Sequence, residues 1–151
     1  MGLAATGECG GPTGVNVNNL SSHEGGFDRC RVLVVDDDAD VCRNVGAMLE
    51  GLGYLGRTVS SGRSALDEVK SARPDVILTD IYMPEFDGIE LITSLRFAGS
   101  VIPIIAMIGR SSDRFDLLSA ARALGAVAVL EKPFSQQDLA LVIGAALHPV
   151  R

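Results

Sequence analysis

Short apolar runs alternate with amphipathic stretches five times between residues 29 and 148, and no other feature constrains the fold as much. "RVLVV" (31–35), "DVILTD" (75–80) and "VIPIIAMI" (101–108) are rich in β-branched residues and read as strands buried on both faces. "YLGRTV" (54–59) is a weaker strand and "AVAVL" (126–130) a fifth. Pro103 falls early in its run, where a strand tolerates a missing N–H. Between the strands, Asp38 to Leu52 places Val41, Val45, Met48, Leu49 and Leu52 at helical spacing and closes at Gly53. Ser61 to Ala72 uses Ala65, Leu66 and Val69 and stops at Pro74. Asp87 caps a third helix, with Glu90 three positions on as a capping box and Ile89, Leu91, Ile92 and Leu95 as its apolar face. Asp113 to Leu124 is helical and ended by Gly125; Ser135 with Asp138 caps a last helix ending near Leu147. Strand then helix, five times over, predicts an α/β fold: a doubly wound (βα)5 domain with a five-stranded parallel sheet covered on both faces.

The 151 residues suit one domain of ordinary size. Residues 1–28 are set apart by Gly2, Gly7, Gly10, Gly11, Gly14, Gly25 and Gly26 among Asn, Ser and Thr, which predicts a disordered tail ahead of a domain spanning 29–151. "GECGGPTG" lacks the Lys-Ser/Thr and the preceding strand of a phosphate loop. "MGLAAT" matches the short N-myristoylation pattern but reads as an incidental start. The formal net charge of −6 argues against direct nucleic-acid binding. Cys9, Cys30 and Cys42 are an odd set without C-x-x-C spacing, which argues against a disulfide framework and a zinc site and for a reducing, cytoplasmic setting. No apolar run reaches the ~20 residues of a membrane helix. His23 and His148 are isolated and carry no metal reading.

Ligands of such sheets bind at the carboxyl ends of the strands. There the first strand ends in Asp36-Asp37-Asp38, the third in Asp80, and the fifth in Glu131-Lys132-Pro133. Asp38 reads as a helix N-cap. Asp36, Asp37, Asp80 and Lys132 are expected to meet on one edge. Like charges ~4 Å apart repel by ~4 kcal/mol at the effective dielectric of a protein surface. A hard divalent cation relieves this, and Mg2+ favours one or two carboxylates with waters and a phosphate oxygen. A carboxylate nucleophile, a metal and a lysine together suit phosphoryl transfer.

"VLVVDDD" (32–38), "PDVILTDIYMPEFDG" (74–88) and "RALGAVAVLEKPF" (122–134), in this order and spacing, resemble the receiver domain of two-component response regulators over 29–148. The resemblance implies a flavodoxin-like strand order of 2-1-3-4-5. It implies that Asp80 is the phospho-acceptor, that Asp37 binds Mg2+ directly and Asp36 mainly through water, and that the Tyr82 carbonyl supplies a further ligand. It also implies that Lys132 contacts the phosphoryl group and that the Lys132–Pro133 bond is cis. The partners implied are a histidine kinase or histidine phosphotransfer protein as donor, and a downstream protein on the fourth helix, fifth strand and fifth helix, Asp113 to Leu147. Such a domain catalyses its own phosphorylation and is not a turnover enzyme. With nothing after the fifth helix, the expected type is a stand-alone receiver; a receiver excised from a longer hybrid protein is the alternative.

Two positions depart from the family pattern. Ile108 stands where the family carries Thr or Ser, and Ile has no hydroxyl to donate to a phosphoryl oxygen. The loop that follows is about two residues longer than the common pattern, and Ser111 or Ser112 is the candidate to reach back. Val129 stands where a Tyr or Phe is common. These departures define a second reading, a receiver-like binding module with impaired switching. A hydrolase resembling haloacid dehalogenases is set aside, because it needs an Asp where Tyr82 stands.

Overall fold

A computed structural model describes residues 29–109 and 114–149. Five strands, β1 (Arg31–Val35), β2 (Leu55–Val59), β3 (Val76–Asp80), β4 (Ile104–Ile108) and β5 (Ala128–Glu131), alternate with helices α1 (Ala39–Gly51), α2 (Gly62–Ala72), α3 (Gly88–Phe97), α4 (Arg114–Leu124) and α5 (Gln136–Leu147). The sheet is parallel throughout, in the order β2-β1-β3-β4-β5. The expected fold and strand order are therefore those observed. Among the described residues, no helix is long and apolar enough to cross a membrane.

The near-continuous apolar runs follow from burial on both faces. Side chains alternate along a strand, so Val32 and Val34 of β1 join one core, while Leu33 and Val35 join the other. The first core is completed by Val45 and Leu49 of α1 and by Leu139 and Ile143 of α5. The second holds Ala65 of α2, Leu91, Ile92 and Leu95 of α3, and Ala121 of α4. β3 and β4 are buried at every position. The weak strand signal at 54–59 has a physical cause: β2 is an edge strand, exposed at Leu55, Gly56, Arg57 and Thr58.

Helix starts obey the sequence signals closely. Asp38 caps α1 by accepting from the N–H groups of Asp40 and Val41. Ser61 caps α2 and accepts from Ser64. Asp87 caps α3 by accepting from Glu90 N–H; the full reciprocal box forms at α5, between Ser135 and Asp138. Asp113, Ser111 and Ser112 lie outside the described residues, as does the 1–28 segment. One expectation is corrected: Cys30, buried just ahead of β1, is disulfide-bonded, whereas Cys42 is free. An odd cysteine count argues against a framework of several bridges but does not forbid one.

Candidate functional site

Strand order brings the acids together. β1 and β3 are neighbours, with Val35 paired to Thr79. Asp36 and Asp80, one residue further along each strand, therefore leave the sheet side by side. The connections diverge here, β1 leading to one side and β3 to the other, which opens a crevice at the strand ends. One carboxylate oxygen from each of Asp36, Asp37 and Asp80 lies within 4.8 Å of the others. Asp36 and Asp80 are buried, and Asp37 is exposed on the open side. This set of oxygens, with one member open to solvent, fits the preference of Mg2+ for a few carboxylates and several waters.

Lys132 closes the crevice from β5. Its Nζ donates to Asp36 Oδ2 at 2.7 Å and stands 3.5 Å from Asp80 Oδ2. The lysine is positioned by its backbone: its N–H donates to the carbonyl of Ile108 at 2.7 Å, and its bond to Pro133 is cis. Burial works against the ammonium charge, but the hydrogen bond to Asp36 and the charges of Asp80 and Asp36 outweigh it and raise the Lys132 pKa. Asp36 is engaged on both oxygens, since Oδ1 accepts from Asp38 N–H at 2.9 Å. Its backbone carbonyl accepts from the Cys42 thiol at 3.2 Å, and burial, followed by the Asp36 charge, pushes that thiol's pKa up.

Asp80 is buried beside these charges. Burial is the largest influence on it and pushes its pKa from 3.8 to about 6. Lys132 pulls the value down, Asp36 pushes it up, and the Tyr82 backbone N–H, which bonds the carboxylate, lowers it again. The Tyr82 side chain itself is half exposed. Behind Asp80, helix α3 begins almost in contact with the strand end. A Cβ on Gly88 would lie 2.2 Å from the Asp80 carbonyl oxygen and 2.9 Å from Ile81 Cα, so this approach requires glycine. Gly88 N–H donates to the Ile81 carbonyl at 3.1 Å. The loop between carries Glu85 at φ 68, a left-handed conformation uncommon outside glycine.

Of the two departing positions, one is buried and the other partly buried. Ile108 is fully buried at the end of β4 and belongs to the core under α2–α4, and Val129 packs against the same core. Two contributions were not visible in the sequence. One is the Ile108–Lys132 backbone bond. The other is Arg96, whose guanidinium donates to the carbonyls of Ser100, Ile102 and Gly125, each at 2.9 Å, tying together the loops before β4 and β5.

A five-stranded parallel α/β domain with an acid cluster and one lysine at its switch point defines a class of protein; comparison with known proteins gives the family. Residues 32–143 match the response regulator receiver domain. The response regulator MprA of Mycolicibacterium vanbaalenii is 38% identical over 120 residues, which is 78% of this chain and 50% of that protein. The transcriptional regulatory protein PrrA of Mycobacterium leprae is likewise 38% identical over 120 residues, with the same coverage. Among solved structures, the chemotaxis protein CheY4 of Vibrio cholerae superposes with a TM-score of 0.71 at 30% identity, over 78% of this chain and 98% of that one. The chain belongs to the response regulator receiver family. It spans about half the length of the curated relatives it matches.

Proposed function

We propose that this protein is a phosphorylation-dependent signalling receiver whose acceptor is Asp80. The observation that carries the reading is the meeting of three carboxylates within 4.8 Å of one another, with Lys132 Nζ 3.5 Å from Asp80. An Asp80 oxygen attacks the phosphorus of a phosphohistidine on a histidine kinase or phosphotransfer protein, and the bond from phosphorus to the imidazole nitrogen breaks. Lys132 places its ammonium where the transferred oxygens gather charge. Asp37 and Asp80 would hold Mg2+, which their carboxylate oxygens, within 4.8 Å of one another and of one from Asp36, can reach together. Asp36, both of whose oxygens are already engaged, would support the ion through water, and the Tyr82 carbonyl would add a ligand. Bound Mg2+ neutralises charge on the transferring phosphoryl group. The domain spans 29–151, works in the cytoplasm, modifies itself rather than turning over a substrate, and does not itself bind nucleic acid. Its output is contact with a protein on the face formed by α4, β5 and α5.

A second reading rests on Ile108 and Val129. Both are aliphatic and lie in or against one core, so neither supplies a hydroxyl or an aromatic ring. In this reading the protein takes the phosphoryl group but binds its partner equally with or without it. Intact mass after incubation with Mg2+ and acetyl phosphate tests the first reading. One phosphate adduct is expected on the starting protein, and none without Mg2+ or with Asp80→Asn. A folded, Mg2+-saturated protein that takes up no phosphate contradicts it.

A further inference from the structure

Away from the acidic edge, α2 does not close down on the first half of the sheet. A cleft of about 440 Å3 opens between β1, β2 and the C-terminal half of α2, within the ~300–1,000 Å3 typical of small-molecule sites. Its lining includes Leu33, Leu55 and Pro74, with Leu55 45% exposed. Leu33 pairs with Arg57 across the sheet, so Leu55 and Arg57, two residues apart, share the face turned toward α2.

Glu68 of α2 lies opposite. Arg57 Nε is 2.8 Å from Glu68 Oε2, yet that oxygen is buried without a hydrogen-bond partner among the described residues. The pair is thus an ion contact in which the N–H is not aimed at the oxygen. Buried carboxylate oxygens rarely stay in that condition. The Arg57 side chain is 67% exposed and that of Glu68 only 17%, so a solvated, rotatable cation covers a partly buried side chain whose Oε2 is enclosed. Arg31 stands at the rim, with Nη1 on the Ala72 carbonyl at 2.9 Å.

We propose that this cleft binds a small zwitterion of the α-amino-acid class with an apolar side chain. Its ammonium donates to Glu68, its carboxylate pairs with Arg57, and its side chain lies over Leu33, Leu55 and Pro74. An ammonium and a carboxylate on one carbon are about as close as the two side chains they separate, so one poorly aligned contact is exchanged for two aligned ones. An anion alone leaves Glu68 without a donor. A cation alone leaves the two arginines without an anion. The cleft lies against the N-terminal halves of β1 and β2, whereas Asp80 stands at a strand end, so occupancy does not depend on the phosphorylation reading.

The test is a titration of the full chain with L-leucine and L-phenylalanine, followed by amide proton and nitrogen shifts. Saturable shifts are expected at residues 31–33, 55–57 and 68–74. Binding of leucinamide and of N-acetyl-leucine is expected to be at least about tenfold weaker, as for a site whose polar groups are left unpaired. Glu68→Gln is expected to weaken leucine by a similar factor. In Arg57→Ala the preference for leucine over leucinamide is expected to disappear. No saturable shift up to ~10 mM, where even weak sites fill, overturns the proposal. So does equal binding of leucine and N-acetyl-leucine, which marks a merely apolar groove. The ligand comparison on the unaltered protein decides even where a variant fails to fold.

Discussion

Replacing Asp80 with Asn is expected to stabilise the metal-free protein. The folded state raises the Asp80 pKa from 3.8 to about 6 because the carboxylate is buried. Between these values the folded protein binds a proton that the unfolded chain releases, so this group's contribution declines as pH rises from about 4 to about 6 and stays unfavourable above. Two pH units correspond to about 3 kcal/mol at neutral pH, an upper figure, and to about 1 kcal/mol near pH 4.5. Asn has nearly the same shape and no charge to desolvate, and Lys132 keeps its 2.7 Å bond to Asp36. Urea unfolding in EDTA near pH 7.5 should therefore show Asp80→Asn more stable by about 1–3 kcal/mol, with the gap narrowing near pH 4.5. Added Mg2+ should narrow the gap at neutral pH by stabilising the wild type more than the mutant, which keeps Asp36 and Asp37 but lacks the Asp80 charge. A mutant equal to or weaker than wild type in EDTA, or a gap indifferent to pH, would refute the view that Asp80 is held at the cost of folding stability.

Three further substitutions probe the surroundings. Gly88→Ala sets a Cβ 2.2 Å from the Asp80 carbonyl oxygen; urea unfolding should show a loss of about 1–3 kcal/mol, with weakened Mg2+ affinity by fluorescence or calorimetry. Arg96→Met strips one donor from each of the carbonyls of Ser100, Ile102 and Gly125; a loss of about 1.5–3 kcal/mol in stability is expected, with Mg2+ affinity unchanged. Ile108→Thr puts a hydroxyl at a fully buried core position and should cost about 1–2 kcal/mol in the unphosphorylated protein. If the missing hydroxyl is what impairs switching, the same change should make partner affinity respond to phosphorylation, as read in a pull-down with and without acetyl phosphate.

The pattern of β1, β3 and β4 was plain in the sequence because strands buried on both faces need apolar residues at every position. β2 was faint because an edge strand reading Leu-Gly-Arg-Thr-Val has little to bury. The acids were legible for a topological reason: parallel strands all end on one edge, so residues just past strand ends must gather. Which acid Lys132 prefers was not legible. Asp36 lies 96 positions away, and only the packed structure shows it as the nearer partner. Arg96, between Leu95 and Phe97, looks like an ordinary solvated helix residue until the loops that accept its hydrogen bonds are in place. Gly88 reads as a turn former, whereas its actual constraint is the backbone of Asp80 and Ile81 pressed against it. The Cys30 disulfide was missed because pairing depends on spatial approach, which cysteine counting does not supply.

The most direct test of the proposed acceptor is to locate the phosphoryl group itself. An acyl phosphate is reduced by borohydride to an alcohol, so phosphorylated Asp80 would become homoserine within its own peptide. Peptide mass spectrometry after Mg2+, acetyl phosphate and borohydride is predicted to find that conversion at Asp80 and not at Asp36 or Asp37. Conversion at either of those acids, or an adduct that borohydride leaves unchanged, would contradict the assignment.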